Sequence, residues 1–216
     1  MADVKMCGLT RAEDVRKAVE LGAGFVGVIF AGGPRALRPS AARALLDGVS
    51  ESVARVGVFG AAPPEVIARE ARDAGVGIVQ LHADPTAEVV RALRVCFSGP
   101  IWAAVRVAGD ALPVGAESLF AESDAVVLDA RSDSGLGGTG LALPWKSLAT
   151  RIRAIRGQGR LVLAGGLTPE NVARAIDALS PDIVDVSSGV ETTPGVKDHS
   201  LMSAFMQAAR STSRAA

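Results

Sequence analysis

Val4-Lys5-Met6-Cys7-Gly8-Leu9-Thr10-Arg11-Ala12-Glu13-Asp14-Val15 sets the pattern that the rest of the chain repeats. An apolar-leaning run ends at Cys7 and Gly8 lets the backbone turn. Thr10, followed three residues later by Glu13, makes a capping box at the start of a helix. Val15, Ala18 and Val19 recur at helical spacing, and Gly22 stands where that helix should stop. The unit therefore reads strand, tight turn, helix, with one helix face packed on a sheet. Its one unusual group is the thiol at the strand end. A cysteine in such a place is more often a small buried hydrophobe than a catalyst.

The same unit recurs along the chain. Short strand-like runs recur at 25–30, 55–59, 78–81, 101–105, 125–128, 161–164 and 183–186, and the first, Phe25 to Phe30, is too apolar for a strand with one wet face and fits a parallel sheet covered on both sides. Helical patterns follow at about 40–46, 64–74, 86–93, 116–122 and 144–155, with Ser40 as a cap. A further helix opens at Thr168 as cap with Pro169 in its first position, and Leu201, Met202, Phe205 and Ala209 mark a last one. Eight strands alternating with eight helical segments, at ~25 residues per unit, are what a closed parallel (β/α)8 TIM barrel requires. A doubly wound open sheet is the alternative. The count of eight and the lack of Gly-x-Gly-x-x-Gly after the first strand favour the barrel. No linker or composition break interrupts the chain, so residues 1–216 are expected to form a single domain, with 211–216 a frayed tail.

Composition narrows the function. Of 216 residues, 49% are hydrophobic, enough for a large aliphatic core, while aromatics make up only 4% and tyrosine is absent. The formal net charge is zero and the sequence pI about 6.7, which argues against partners recognised by bulk charge, such as nucleic acid or a membrane surface. No apolar run approaches the ~18 residues of a membrane span, and Met1 leads into Asp3 and Lys5 without a signal-peptide core, so a cytoplasmic location is expected. Cys7 and Cys96 are too few for a disulfide framework and match no metal-ligand spacing.

In a barrel all strands end at one face, where chemistry takes place. Cys7, His82, Arg106, Asp129 and Asp185 fall at or near such ends, whereas Cys96 falls at the opposite end. Gly165-Gly166 and Ser187-Ser188-Gly189 occupy the loops after strands seven and eight, where this fold commonly holds a phosphate. Glycine and serine offer N–H and O–H donors without charge, which suits a neutral protein gripping one anion; the plainer reading is a pair of ordinary tight turns. Cys7-Gly8-Leu9-Thr10 and Gly165-Gly166-Leu167-Thr168 echo one another as two loops of one design. Arg35, in the loop after strand two, suits a carboxylate or an aromatic ring, or is a solvated surface arginine, the better reading for Arg38. His82 is as readily a hydrogen-bonded structural histidine as a participant. Lys197, Asp198 and His199 read as solvated charge and helix-cap residues, and Trp145 as packing. Residues 130–140, with glycines at 135, 137, 138 and 140, read as a loop long enough to act as a lid.

Taken together, Lys5 to Thr10, Val79-Gln80-Leu81-His82, Leu128-Asp129, Gly137-Gly138-Thr139-Gly140, Ala164 to Val172, Asp185 to Glu191 and Pro194 to Asp198 resemble the phosphoribosylanthranilate isomerases of tryptophan biosynthesis, in order and at the family's spacing. The resemblance implies an isomerase that converts N-(5-phosphoribosyl)anthranilate to 1-(2-carboxyphenylamino)-1-deoxyribulose 5-phosphate by an Amadori rearrangement. It implies Asp129 as general acid and Cys7 as general base, the acid with a raised pKa and the thiol ionised in part. Arg35, His82 and Asp185 would bind substrate, and Gly165, Gly166, Ser187, Ser188 and Gly189 would bind phosphate. No metal or organic cofactor is implied. The partner is a small phosphosugar, with no nucleic acid or membrane, and the chain is a monomer or homodimer. The related Amadori isomerases of histidine biosynthesis use paired aspartates, and Cys7 at strand one discriminates against them; a non-catalytic phosphate-binding barrel is the remaining alternative. The glycine-rich loop Ala31-Gly32-Gly33-Pro34 and Arg106 depart from the family pattern.

Overall fold

The computed structural model describes residues 1–107, 109, 111–130 and 144–211. Among them, β1 (Asp3–Met6), β2 (Phe25–Ile29), β3 (Ala54–Phe59), β4 (Ile78–Leu81), β5 (Ile101–Val107), β6 (Ala125–Ala130), β7 (Arg160–Leu163) and β8 (Ile183–Val186) are parallel and close into a barrel, β8 pairing with β1. Helices α1 (Ala12–Glu20), α2 (Pro39–Leu46), α3 (Pro64–Ala74), α4 (Ala87–Cys96), α5 (Ala116–Glu122), α6 (Trp145–Arg156), α7 (Val172–Leu179) and α8 (His199–Arg210) alternate with the strands. The expected glycine lid and its Gly137-Gly138-Thr139-Gly140 motif lie outside the described residues. Of the expected tail, only Ser211 is described, as the residue that ends α8.

The two-residue period of a strand places the site. Val4 and Met6, Val26 and Val28, Val79 and Leu81, Val126 and Leu128, and Val184 and Val186 share one core with the helices. The alternate positions fill the barrel: Phe25, Val56, Ile78, Trp102, Ala125, Val127, Val162 and Ile183 form a second apolar cluster, in which the Trp102 and Phe25 rings lie 5.3 Å apart. One step further along the same faces, the inward positions turn polar. Lys5 follows Asp3, Gln80 follows Ile78, Asp129 follows Val127 and Asp185 follows Ile183, and a step beyond Lys5 and Gln80 come Cys7 and His82. The barrel interior is thus apolar towards the strand starts and polar at the strand ends.

Local signals and long-range contacts diverge at the helix starts. Thr10 does not cap α1: its hydroxyl donates to Gly195 O at 2.5 Å and Arg11 occupies the cap position. Arg38 precedes α2, which starts at Pro39 rather than after Ser40. α7 begins after Asn171, three residues beyond Thr168; Asn171 Oδ1 accepts from Thr168 N at 2.9 Å and its Nδ2 donates to Gly166 O at 2.8 Å, bracing the turn. β5 and β6 each run two residues past the expected ends at 105 and 128, so Arg106 and Asp129 sit on the ladder, opposite one another in register. A 3₁₀ turn (Ser188–Val190) and the hairpin β9 (Glu191–Thr193) and β10 (Val196–Lys197) intervene between β8 and α8; the sequence patterns do not disclose them.

Candidate active site

The strand ends of β1 to β4 and β6 to β8 open into one cleft of about 460 Å³, lined by Cys7, Arg35, Gln80, His82, Asp129, Gly165, Gly166, Asp185, Ser187, Ser188 and Gly189 among others. Of the residues placed at the strand ends or in the phosphate loops above, all but Arg106 therefore line a single space.

Cys7 sits just past β1, its amide donating to Val186 O at 2.9 Å, with its thiol buried. Lys5 Nζ donates to Cys7 Sγ at 3.3 Å, to Asp185 Oδ2 at 2.7 Å and to Gln80 Oε1 at 2.8 Å. An ammonium has three protons, and these acceptors use all of them. Burial works against the Lys5 charge, but Asp185 and Cys7 outweigh it and hold the ammonium above its ordinary pKa. Burial pushes the Cys7 thiol up, and Asp185 adds to this, while Lys5 and Lys197 pull it back only in part. The partial ionisation expected of Cys7 in the free enzyme is thus opposed by desolvation, which disfavours a thiolate without enough compensating charge.

His82 is buried between Asp129, whose Oδ2 lies 3.3 Å from Nε2, and Gln80, whose Nε2 lies 3.4 Å from Nδ1. Burial, aided by the Lys5 and Arg106 cations and opposed by Asp185 and Asp84, pushes His82 down to about 4. The ring is therefore neutral at pH 7. Arg106 is accounted for by Asp84: its Nε donates to Oδ1 at 2.7 Å and its Nη2 to Oδ2. This pair spans the loop after β4 and the end of β5.

Lys197 overturns its reading as a solvated charge. Its side chain is wholly buried, with Nζ donating to Glu191 Oε1 at 2.8 Å and to Ser187 O at 3.0 Å. Glu191 in turn takes the Arg35 guanidinium, Nε at 2.9 Å and Nη2 at 2.6 Å. A buried ammonium requires such partners, and the hairpin brings them. Burial raises the Glu191 pKa, but Arg35 and Lys197 more than reverse it; burial lowers Lys197 further than Glu191 restores it. Asp198 does cap α8, accepting from Ser200 N and Leu201 N, and His199 faces the buried Asp14 carboxylate at 2.9 Å. Trp145 packs on the helix-side core, and Cys96 is a free thiol at the end of α4.

The glycines after β7 and β8 have steric reasons. Gly165 and Gly166 adopt φ of 82° and 66°, consecutive left-handed residues that side chains resist. A β-carbon on Gly189 would lie 1.9 Å from Leu167 O, so the loops after β7 and β8 meet backbone to backbone. Asp185 Oδ1 is buried without a hydrogen-bond partner beside the same cleft. Sequence reasoning missed Lys5, Gln80, Glu191 and Lys197 as parts of this site. The first two were readable, because each precedes a chosen residue by two positions on a strand and so shares its face.

A closed barrel with buried thiol, imidazole and carboxyl groups around a glycine- and serine-lined strand-end cleft places the chain among the (β/α)8 barrels with a strand-end site. The N-(5'phosphoribosyl)anthranilate (PRA) isomerase family model matches residues 4–208. The chain is 42% identical over 213 residues to an N-(5'-phosphoribosyl)anthranilate isomerase of Rubrobacter xylanophilus, covering 98% of this chain and 100% of the relative. The crystal structure of phosphoribosyl anthranilate isomerase from Thermus thermophilus superposes with a TM-score of 0.84 at 34% identity, covering 97% of this chain and 98% of that one. A second, of a phosphoribosyl anthranilate isomerase in complex with reduced 1-(o-carboxyphenylamino)-1-deoxyribulose 5-phosphate, gives 0.80 at 34% identity, with 97% and 99% covered. The chain belongs to the PRA isomerase family and is an isomerase of tryptophan biosynthesis.

Proposed function

We propose that this cleft isomerises N-(5-phosphoribosyl)anthranilate with Asp129 as general acid and Cys7 as general base. The observation that carries the reading is that the two groups enter one cleft from β6 and β1, strands that are not neighbours in the barrel. An Amadori rearrangement needs that separation. Asp129 gives a proton to the furanose ring oxygen as the C1′–O bond opens to a Schiff base. Cys7 Sγ then removes the C2′ proton, and the resulting enolamine tautomerises to the ketone, 1-(2-carboxyphenylamino)-1-deoxyribulose 5-phosphate.

The other side chains divide the substrate between them. Gly165, Gly166, Ser187, Ser188 and Gly189 hold the phosphate, in two loops whose backbones touch. Arg35, its fork braced by Glu191, takes the anthranilate carboxylate. Asp185 Oδ1 supplies an acceptor to a sugar hydroxyl, which would relieve its lack of a partner. His82 borders the reacting sugar from the side of Asp129. A related isomerase solved with a reduced product analogue supports the same ligand class here. The enzyme acts without metal or organic cofactor, in the cytoplasm as a monomer or homodimer, and without nucleic-acid or membrane partners. Among the described residues no helix is long and apolar enough to cross a membrane.

The test is the loss of anthranilate-type fluorescence when purified protein meets freshly generated phosphoribosylanthranilate. Wild type should turn it over, and Cys7→Ala and Asp129→Asn should each lose roughly 10²–10⁴-fold in kcat. A wild type without turnover would refute the function, and full activity in either variant would refute that residue's role.

A further inference from the structure

The proposed base and the proposed acid are joined by a chain of side chains that the acid–base reading does not use. Lys5 Nζ reaches Cys7 Sγ at 3.3 Å and Gln80 Oε1 at 2.8 Å; Gln80 Nε2 reaches His82 Nδ1 at 3.4 Å; His82 Nε2 reaches Asp129 Oδ2 at 3.3 Å. Chemistry fixes the direction of each bond. An ammonium only donates, so Gln80 must turn its oxygen towards Lys5 and its amide nitrogen towards His82. That nitrogen also only donates, so Nδ1 must accept. A neutral imidazole accepting at Nδ1 carries its proton on Nε2, where it points at Asp129 Oδ2. The neighbouring strand makes room for this arrangement: a β-carbon on Gly27 would lie 2.9 Å from Cys7 Sγ and 3.0 Å from Lys5 Cε.

We propose that Lys5 is a positioning residue for both halves of the reaction: its ammonium pairs with the Cys7 thiolate when that forms, and through Gln80 it fixes the Nε2–H tautomer of His82. Asp129 Oδ2 then accepts from His82, and the proton that Asp129 transfers is carried on Oδ1. Asp185 anchors the ammonium opposite it in the β1–β8 register and is the counter-charge that lets Lys5 stay ionised without water. The charges facing Cys7 are Lys5 from β1, Asp185 from β8, Lys197 from β10 and Arg35 from the loop after β2. Those facing His82 are Asp129 from β6, Arg106 from β5, Asp84 from the loop after β4, and Lys5 with Asp185. Among the described residues only Lys5 both touches Cys7 by a hydrogen bond and reaches His82 through a single intermediary.

The inference rests on the proposed roles of Cys7 and Asp129, and its test does not need turnover. In a Cys96→Ser background, the rate of Cys7 alkylation by iodoacetamide against pH gives the thiol midpoint in the free enzyme. Lys5→Met should raise that midpoint by about one pH unit or more, and Asp185→Asn should lower it, because it removes a negative charge and leaves the ammonium. Lys5→Met strands the Asp185 carboxylate, so the double variant Lys5→Met/Asp185→Asn is compared with Asp185→Asn, which isolates the ammonium with no orphaned charge. Equal midpoints in that comparison overturn the first half. Of the two histidines in the chain, His82 is assigned by His199→Gln, and its ring ¹⁵N shifts at pH 7 should show the proton on Nε2. A proton on Nδ1 overturns the second half. Fluorescence turnover by wild type, measured beside these, reads the isomerase assignment separately.

Discussion

Acid should unfold this protein through His82 before it unfolds it through most carboxylates. The ring is buried and neutral, with its pKa pushed from 6.5 to about 4 by burial first and by Lys5 and Arg106 after it. In the unfolded chain the ring recovers a pKa near 6.5. Above pH 6.5 both states hold a neutral ring and the group contributes nothing pH-dependent. As pH falls towards 4, the unfolded chain binds a proton that the folded chain refuses, and stability drains away. At about 1.4 kcal/mol per pH unit, the gap between 6.5 and about 4 is worth about 3 kcal/mol. For a chain of this length that corresponds to roughly 6–12 °C in Tm. The assay is urea unfolding followed by Trp102 and Trp145 fluorescence at pH 7, 6, 5 and 4, for wild type and His82→Gln. Glutamine keeps polar contacts and cannot titrate, so the carboxylates common to both proteins cancel in the difference. Wild type should lose about 3 kcal/mol more than the variant over that range. Parallel losses in the two proteins, or a directly titrated His82 midpoint at 6 or above, would refute the reasoning.

Three further outcomes follow from the geometry. Gly189→Ala forces a β-carbon to within 1.9 Å of Leu167 O, so the loops after β7 and β8 must part; stability should fall by about 2 kcal/mol, and KM should rise about tenfold with a smaller change in kcat. Glu191→Gln leaves Arg35 and the buried Lys197 without their shared carboxylate, and thermal unfolding should show a loss of about 3 kcal/mol together with a higher KM. Because burial raises the Cys7 thiol, kcat/KM in a pH series should climb through the neutral range as the thiolate fraction grows, and a flat limb there would show that Cys7 is not the base.

The barrel was readable because its signals are local. Strand 25–30 is apolar on both faces, and Gly22 and Gly75 end their helices in left-handed turns, as their positions imply. The cap of α8 at Asp198 was readable, but that of α1 was not, because a distant contact competes for the same atom: the Thr10 hydroxyl bonds Gly195 O, across most of the chain, instead of its own helix. Glu191 and Lys197 failed for the same reason. They stand in a stretch with Pro194 and Gly195 that looks solvated, and only the fold brings Arg35 from the loop after β2 to neutralise Glu191. That Cys7, His82, Asp129 and Asp185 share one cleft was readable because strand ends converge on one face, an inference that needs the topology and no side-chain detail.

Charge balance within the cleft bears on the proposed exchange of protons between a buried thiol, a carboxyl group and one substrate. Lys5, Arg35 and Lys197 stand against Asp129, Asp185 and Glu191; Lys5 pairs with Asp185 at 2.7 Å, and Arg35 and Lys197 pair with Glu191 at 2.6 and 2.8 Å. A substrate carrying phosphate and carboxylate adds negative charge to a site already near neutrality. That addition favours the protonated form of Asp129, as the general-acid role proposed for it requires, and disfavours the thiolate of Cys7. It also makes the thiolate, once formed, a stronger base towards C2′. Among the described residues, the one cation within hydrogen-bond reach of sulfur to offset the cost of forming it is the Lys5 ammonium at 3.3 Å. Losing that cation should therefore be felt more in the proton-abstraction step, as kcat, than in substrate affinity, as KM.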